Sequence, residues 1–278
     1  MQGDVHRLVI NMKLSVVLST QPAQFQAATF QGDLKDNFSR IAALGYDGIE
    51  LAIRDPKLVD LDHLAELTHM YNLDVPAIGT GQAWGEEGLS FTDPNPGLRR
   101  AAIERIKGHI PAASRFGAVI IIGLIRGTLR QGVEQAQAAD WLVAALHECC
   151  EAAQMENVCL ALEPINRYET TLINTTTQGL NLIERVGSDN FGLLLDTFHM
   201  NIEEPVIEDS IRLCGKHIFH FHVADSNRWY PGAGHLDFES VLKTLSAVGY
   251  SGWVSGEFLP KPDAYSAASE CITYLRRQ

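Results

Sequence analysis

Positive charge is what this sequence has least of. Its 22 lysines and arginines are outnumbered by 34 aspartates and glutamates, leaving a formal net charge of −12 at pH 7. Apart from the terminal Arg276-Arg277 pair, no cluster of basic residues occurs. Phosphate backbones are bound through a basic footprint, so a nucleic-acid partner is not expected. Long apolar runs are missing too. The longest, Phe116 to Ile125, is too short to span a bilayer, and no signal-peptide pattern precedes Met12. Cysteine is scarce: five residues, an odd number without metal-ligand spacing, point to a reducing compartment and hence the cytoplasm. Cys149 and Cys150 are adjacent on an expected helix, where their side chains diverge into buried, inert positions. Gly79-Thr80-Gly81-Gln82 lacks both the Lys-Ser/Thr of a phosphate-binding loop and the third glycine of a dinucleotide fingerprint. Its glycines fit a close approach of backbone to substrate instead.

What the chain does contain is a regular alternation. With 278 residues, 46% hydrophobic and 20% charged, it has the composition of an ordinary globular protein and the length of one large α/β domain. Strands are expected at Lys13–Leu18, Gly48–Ile53, Val75–Gly79, Ala118–Ile122, 157–163, 191–196, 218–223 and 253–257. Helices are expected at Leu34–Leu44, Leu61–Tyr71, Pro96–Phe116 (kinked at Pro111), Val133–Met155, 175–186, 206–214, 238–248 and 264–276. Eight strand–helix units predict a single (β/α)8 TIM barrel over 12–278, preceded by an extension over 1–11. A doubly wound open sheet satisfies the same pattern. No linker, repeat or low-complexity tract divides the chain.

Four of the expected strands end on a potential metal ligand. Leu160-Ala161-Leu162 runs into Glu163, Leu193-Leu194-Leu195 into Asp196, Phe219-His220-Phe221 into His222, and Trp253-Val254-Ser255-Gly256 into Glu257. The intervals are 33, 26 and 35 residues, each about one strand plus one helix. Strand parity puts Ala161 with Glu163, and His220 with His222, on the inner face, leaving Phe219 and Phe221 to pack outward. In a barrel the active site lies at the carboxyl ends of the strands, so the four donors can converge. Each carboxylate taken singly could be a helix cap or half of a surface ion pair; four in succession argue against that.

Three oxygen donors and one nitrogen suit a divalent cation, Mn2+ first, with Co2+ or Mg2+ as alternatives. Such an ion offsets the repulsion of facing carboxylates and polarises a carbonyl with its neighbouring hydroxyl. Glu163 and Glu257 could then approach one carbon from opposite faces and move its proton off one face and onto the other, which inverts the centre.

The segments Glu163-Pro-Ile-Asn-Arg-Tyr-Glu169, Asp196-Thr-Phe-His199-Met-Asn, His222-Val-Ala-Asp-Ser-Asn-Arg228 and Gly256-Glu257 resemble the ketose 3-epimerase branch of the xylose-isomerase-like barrels. Lys13–Thr20, Ile53–Pro56, Ala77–Ala83 and Ile121–Gly127 are most similar to 5-keto-L-gluconate epimerases. The resemblance implies a metal-dependent isomerase acting on a small sugar or sugar acid, assembled as a dimer or tetramer. It implies metal binding by Glu163, Asp196, His222 and Glu257, with Glu163 and Glu257 doubling as acid/base pair. Glu169, His199 and Arg228 would hold oxygens near the reacting carbon, and Gln82 is a further substrate-binding candidate. Arg126 and Arg54, just past the fourth and second strands, are candidates for a substrate carboxylate. An ion pair with Asp55 or Glu50 is the alternative for Arg54. Asp237 reads as a helix N-cap, His235 as non-catalytic, and Trp84 as either a pocket wall or loop packing. Three other functions compete: an aldose–ketose isomerase of the hydroxypyruvate isomerase kind, an apurinic endonuclease of the endonuclease IV type, and a non-catalytic sugar- or metal-binding barrel.

Overall fold

Helix starts are written into the chain as short polar residues. Asp33, Asp60, Asn95, Asp237 and Asp263 each accept a hydrogen bond from a backbone N–H of the turn that follows, and Thr175 with Gln178 forms a capping box. Between these starts lie apolar runs that pair as parallel strands. The computed structural model describes residues 12–278. The extension expected over residues 1–11 lies outside the described residues.

The strands are β1 (Lys13–Ser19), β2 (Gly48–Ala52), β3 (Ala77–Gly79), β4 (Val119–Ile122), β5 (Leu160–Leu162), β6 (Phe191–Asp196), β7 (Ile218–Val223) and β8 (Trp253–Gly256). They pair in sequence order, all parallel, and β8 closes onto β1. This is the (β/α)8 barrel, and it excludes the open sheet. The helices are α1 (Leu34–Leu44), α2 (Leu61–Tyr71), α3 (Gln82–Glu87), α4 (Pro96–Phe116), α5 (Gln135–Gln154), α6 (Thr176–Val186), α7 (Thr197–Glu203), α8 (Ile207–Cys214), α9 (Phe238–Ala247) and α10 (Ala264–Leu275). Two of them, α3 and α7, were not expected. Both are short and follow directly on β3 and β6, where periodicity has too few residues to register. Helix α4 runs unbroken through Pro111.

The main core lies between barrel and helices, where Leu51, Ile78, Ile120, Leu160, Leu162, Leu193 and Phe221 meet the inner faces of the helices. Complete burial of each such side chain contributes about 1.5–3 kcal/mol. A second, smaller cluster of Ala77, Ile121, Ala161 and Leu194 fills the barrel interior, and Phe219 packs against it. The outward placement expected for Phe219 is therefore corrected. Leu193 pairs with Ile218 but Leu194 pairs with His220, so Phe219 is the extra residue of a bulge and alternation fails there.

Glycines make room for aromatics in the barrel. A Cβ on Gly192 would lie 2.5 Å from the Phe219 ring, and one on Gly48 would lie 2.6 Å from the Trp253 ring and 2.7 Å from the Asp74 carbonyl oxygen. The backbone oxygen cannot swing away. Gly48→Ala is expected to cost about 1–3 kcal/mol, the range for overpacking, read as a lower urea midpoint at unchanged slope. No helix among the described residues is long and apolar enough to cross a membrane.

Candidate active site

Apolar residues carry each strand through the core, and polar residues appear where the strand emerges at the barrel mouth. There Glu163, His222, Glu257, Glu169, His199 and Arg228 line a single cavity of about 250 Å3. Asp196, at the tip of β6, is buried beside them.

Single oxygen or nitrogen atoms of Glu163, Asp196, His222 and Glu257 all lie within 4.8 Å of one another. His222 Nδ1 stands at the centre, 3.9 Å from Glu163 Oε1, 3.8 Å from Asp196 Oδ2 and 3.9 Å from Glu257 Oε2. Donors held about 2.0–2.2 Å from a shared ion stand roughly 3–4 Å apart. Glu163 Oε1, Asp196 Oδ2 and His222 Nδ1 are buried without any hydrogen-bond partner, a costly condition unless something else satisfies them. Asp196 caps α7 from Oδ1 through the Phe198 N–H and turns Oδ2 toward the cluster.

The electrostatics agree with the spacing. Burial, together with the Glu257 charge, pushes Glu163 well above the usual carboxylate range. Burial likewise raises Asp196, and raises Glu257 to about 7 against the pull of His222 and Arg228. Burial alone would lower His222, but Glu50 and the two glutamates carry it up to about 10. So much negative charge in one dry place calls for protons or a cation to offset it. A divalent ion fits these donors.

Around the cluster stands a second ring of polar groups. Arg228 donates from Nη1 to Glu169 Oε1 at 2.9 Å and from Nη2 to Glu257 Oε2 at 3.3 Å. Its guanidinium lies over the Phe198 and Phe25 rings, 4.8 and 5.4 Å from their centroids. The Asn166 amide donates to Glu169 Oε1 at 2.9 Å and to His199 Nδ1 at 2.8 Å. With Nδ1 accepting, neutral His199 carries its proton on Nε2, 3.6 Å from Glu163 Oε1. Burial, then the nearby arginines, hold His199 well below its usual range, so it stays neutral. Gln82 begins α3, lines the cavity, donates to Ser19 Oγ at 2.9 Å and leaves Oε1 unpartnered. Trp84 also lines the cavity, which answers the question the sequence posed about it.

The two arginines stand elsewhere. Arg126 is entirely buried, and its guanidinium donates to the backbone carbonyls of Leu172, Glu163 and Ile173. Burial lowers its pKa to about 10. The expectation that Arg126 holds a substrate carboxylate is thus corrected: its donors are used beneath the mouth, pinning the loop after β5. Arg54 does not line the cavity either. Its Nε lies 3.6 Å from Glu87 and its Nη1 donates to the Pro22 carbonyl, so its partner is neither Asp55 nor Glu50.

Three residues escaped the sequence reading. Glu50, which the sequence offers only as an ion-pair partner for Arg54, is buried in β2 and receives hydrogen bonds from His220 and His222. Its parity with Ala52, which lines the same cavity, was the available signal. Asn166 is the bridge between Glu169 and His199. Asp225 accepts from the N–H groups of Ser226, Gly232 and Leu236, tying down the loop that presents Arg228 at φ 61°. His235 bonds Ser226 and does not line the cavity; Asp237 caps α9, as expected.

Comparison with known proteins follows the same lines. The profile of the xylose isomerase-like TIM barrel family matches residues 38–276. An L-ribulose 3-epimerase of Mesorhizobium japonicum is 34% identical over 235 residues, 84% of this chain and 78% of that protein. An L-ribulose 3-epimerase of a Methylomonas species is 31% identical over 78% of this chain and 75% of that protein. The crystal structure of a Methylomonas D-allulose 3-epimerase in complex with D-allulose superposes with a TM-score of 0.83 at 24% identity, covering 96% of this chain and 97% of that one. With barrel, mouth and profile in agreement, the chain belongs to the xylose isomerase-like TIM barrel family.

Proposed function

We propose that the protein is a metal-dependent sugar epimerase that inverts the carbon next to the keto group of a ketohexose or keto-sugar acid. One observation carries this reading. Glu163 and Glu257 arrive from strands three apart and reach the same cavity with His222 Nδ1 3.9 Å from each. The 3-epimerase names of two relatives support it.

In this proposal Glu163, Asp196, His222 and Glu257 hold the cation. A divalent ion held there, Mn2+ by preference, would supply polarisation of the keto oxygen and its neighbouring hydroxyl, which would acidify the proton on the carbon beside the carbonyl. Either Glu163 or Glu257 takes the carbon-bound proton, and the other returns one to the opposite face. Burial raises both carboxyls above the usual carboxylate range, Glu257 to about 7, which suits groups that must give and take a proton. Arg228, Glu169 and the Nε2–H of His199 orient the oxygens beside that carbon, and Asn166 keeps Glu169 and His199 in register. The neighbouring wall, from segments after β1 and β3, offers Gln24, Phe25, Gln82 and Trp84 to the rest of the sugar.

Sequence likeness makes 5-keto-L-gluconate the first substrate to try. Its carboxylate would be served by groups other than Arg126. A homo-oligomeric state and a cytoplasmic location complete the proposal and rest on the sequence reading. The test is a panel of L-ribulose, D-psicose, D-tagatose and 5-keto-L-gluconate incubated with Mn2+ in D2O and followed by NMR. Deuterium at the carbon next to the carbonyl, with inversion, is expected. A shift of the carbonyl would mark an aldose–ketose isomerase, and metal binding without turnover of any member a binding barrel.

A further inference from the structure

A carboxylate in the middle of an apolar strand needs a reason, because a buried charge without partners is costly. Glu50 is 1% exposed, and every residue of β2 around it is buried. Its ion-pair partners among the described residues are His220 and His222. His220 Nε2 donates to Glu50 Oε2 at 2.8 Å, and His222 Nε2 reaches both carboxylate oxygens at 3.0 and 3.1 Å. The two imidazoles stand edge to face, 5.2 Å apart at 79°.

Glu50, His220 and His222 have the residue types of a second metal site. Their spacing speaks against one: 2.8 to 3.1 Å is hydrogen-bond distance, and both Glu50 oxygens already accept a hydrogen bond. The opposite edge of the His222 ring is different, since Nδ1 has no partner and faces Glu163, Asp196 and Glu257.

We propose that Glu50 is a positioning residue for the cation site, holding His222 with its proton on Nε2 so that Nδ1 is the donor turned toward the metal. This rests on the reading of the four-donor cluster as a cation site. An imidazole has one proton in its neutral form, and a hydrogen bond at one nitrogen decides which nitrogen is free. His220 holds the same carboxylate from the neighbouring inward position of β7, so Glu50 cannot rotate away from His222. Glutamine at position 50 would break the arrangement in a specific way. Its amide has one oxygen for two N–H donors, and its NH2 group favours a His222 protonated on Nδ1, the nitrogen that faces the cluster.

The experiment compares Mn2+ binding to metal-stripped full-length protein, wild type against Glu50→Gln and Glu50→Asp. Calorimetry and the paramagnetic resonance of unbound Mn2+ give affinity; melting is followed with and without Mn2+. Glu50→Gln is expected to weaken Mn2+ about 10–100-fold, the usual consequence of losing such a partner, and to shrink the rise in Tm that Mn2+ confers. Glu50→Asp keeps two acceptors on a shorter arm and is expected to fall between; it also serves if Glu50→Gln does not fold. A purely structural Glu50 would lower Tm equally with and without Mn2+ and leave affinity within twofold, overturning the proposal. Failure of wild type to bind Mn2+ would instead remove the cation site itself, and the proposal with it.

Discussion

Epimerisation is expected to fall by about 10²–10⁴-fold when Glu257 is replaced by Gln, the span attributed to a positioned general acid or base. Glu163→Gln should lose a similar amount. The informative difference lies in what each variant keeps. With one proton carrier missing, a substrate whose proton faces the surviving glutamate can still lose it and regain deuterium on the same face. Each variant should therefore exchange one epimer of the substrate pair with solvent while inverting neither, and the two variants should favour opposite epimers. Both residues are also proposed ligands, so the assays require saturating Mn2+ and a direct measure of bound metal. Either variant retaining inversion within tenfold of wild type, with metal bound, would remove the two-carboxylate mechanism. Loss of exchange with both epimers alike would point to one glutamate acting only as a ligand.

The second large effect is expected from Arg126→Ala, and it is an effect on stability. The buried carbonyl oxygens of Glu163 and Leu172 lose their guanidinium donor, and the part-buried Ile173 oxygen keeps only the Ile165 N–H. An orphaned buried polar group costs about 1–3 kcal/mol, and the cavity left by a large side chain adds to it. A loss of about 3–5 kcal/mol is expected, equivalent to a Tm lower by on the order of 10 °C for a chain of this size. Urea denaturation measures the first quantity and calorimetry the second. Discrimination between 5-ketogluconate and a neutral ketohexose should stay as in wild type, because the guanidinium does not line the cavity. Arg126→Lys should recover part of the stability, since an ammonium can reach one or two of the three carbonyls. Altered discrimination at unchanged stability would return Arg126 to the substrate.

Much of this molecule was legible as text because local rules suffice for it. A run such as Leu160-Ala161-Leu162, short and wholly apolar, reads as a strand buried on both faces, and Glu163 after it falls at the strand's end. The cap at Asp237 states where a helix begins. The repetition of that grammar announces an α/β fold of eight units, and potential donors recurring at strand ends announce a site at one end of it. Each of these inferences needs only spacing along the chain.

Where local rules stop, the text misleads or is silent. The bulge at Phe219 turns an aromatic side chain into the barrel interior because β6 and β7 slip by one residue, which neither strand reveals alone. Glu50 is 170 and 172 residues from His220 and His222, and only closure of the barrel brings them within a hydrogen bond. The chain order therefore determined eight strands, eight of the ten described helices and the four donors at strand ends. The fold decided how those donors are oriented and which arginine lines the cavity: Arg228 does and Arg126 does not. The reason is physical: a position along a strand follows from alternation, whereas the use of a charged group depends on which distant backbone or side chain reaches it first.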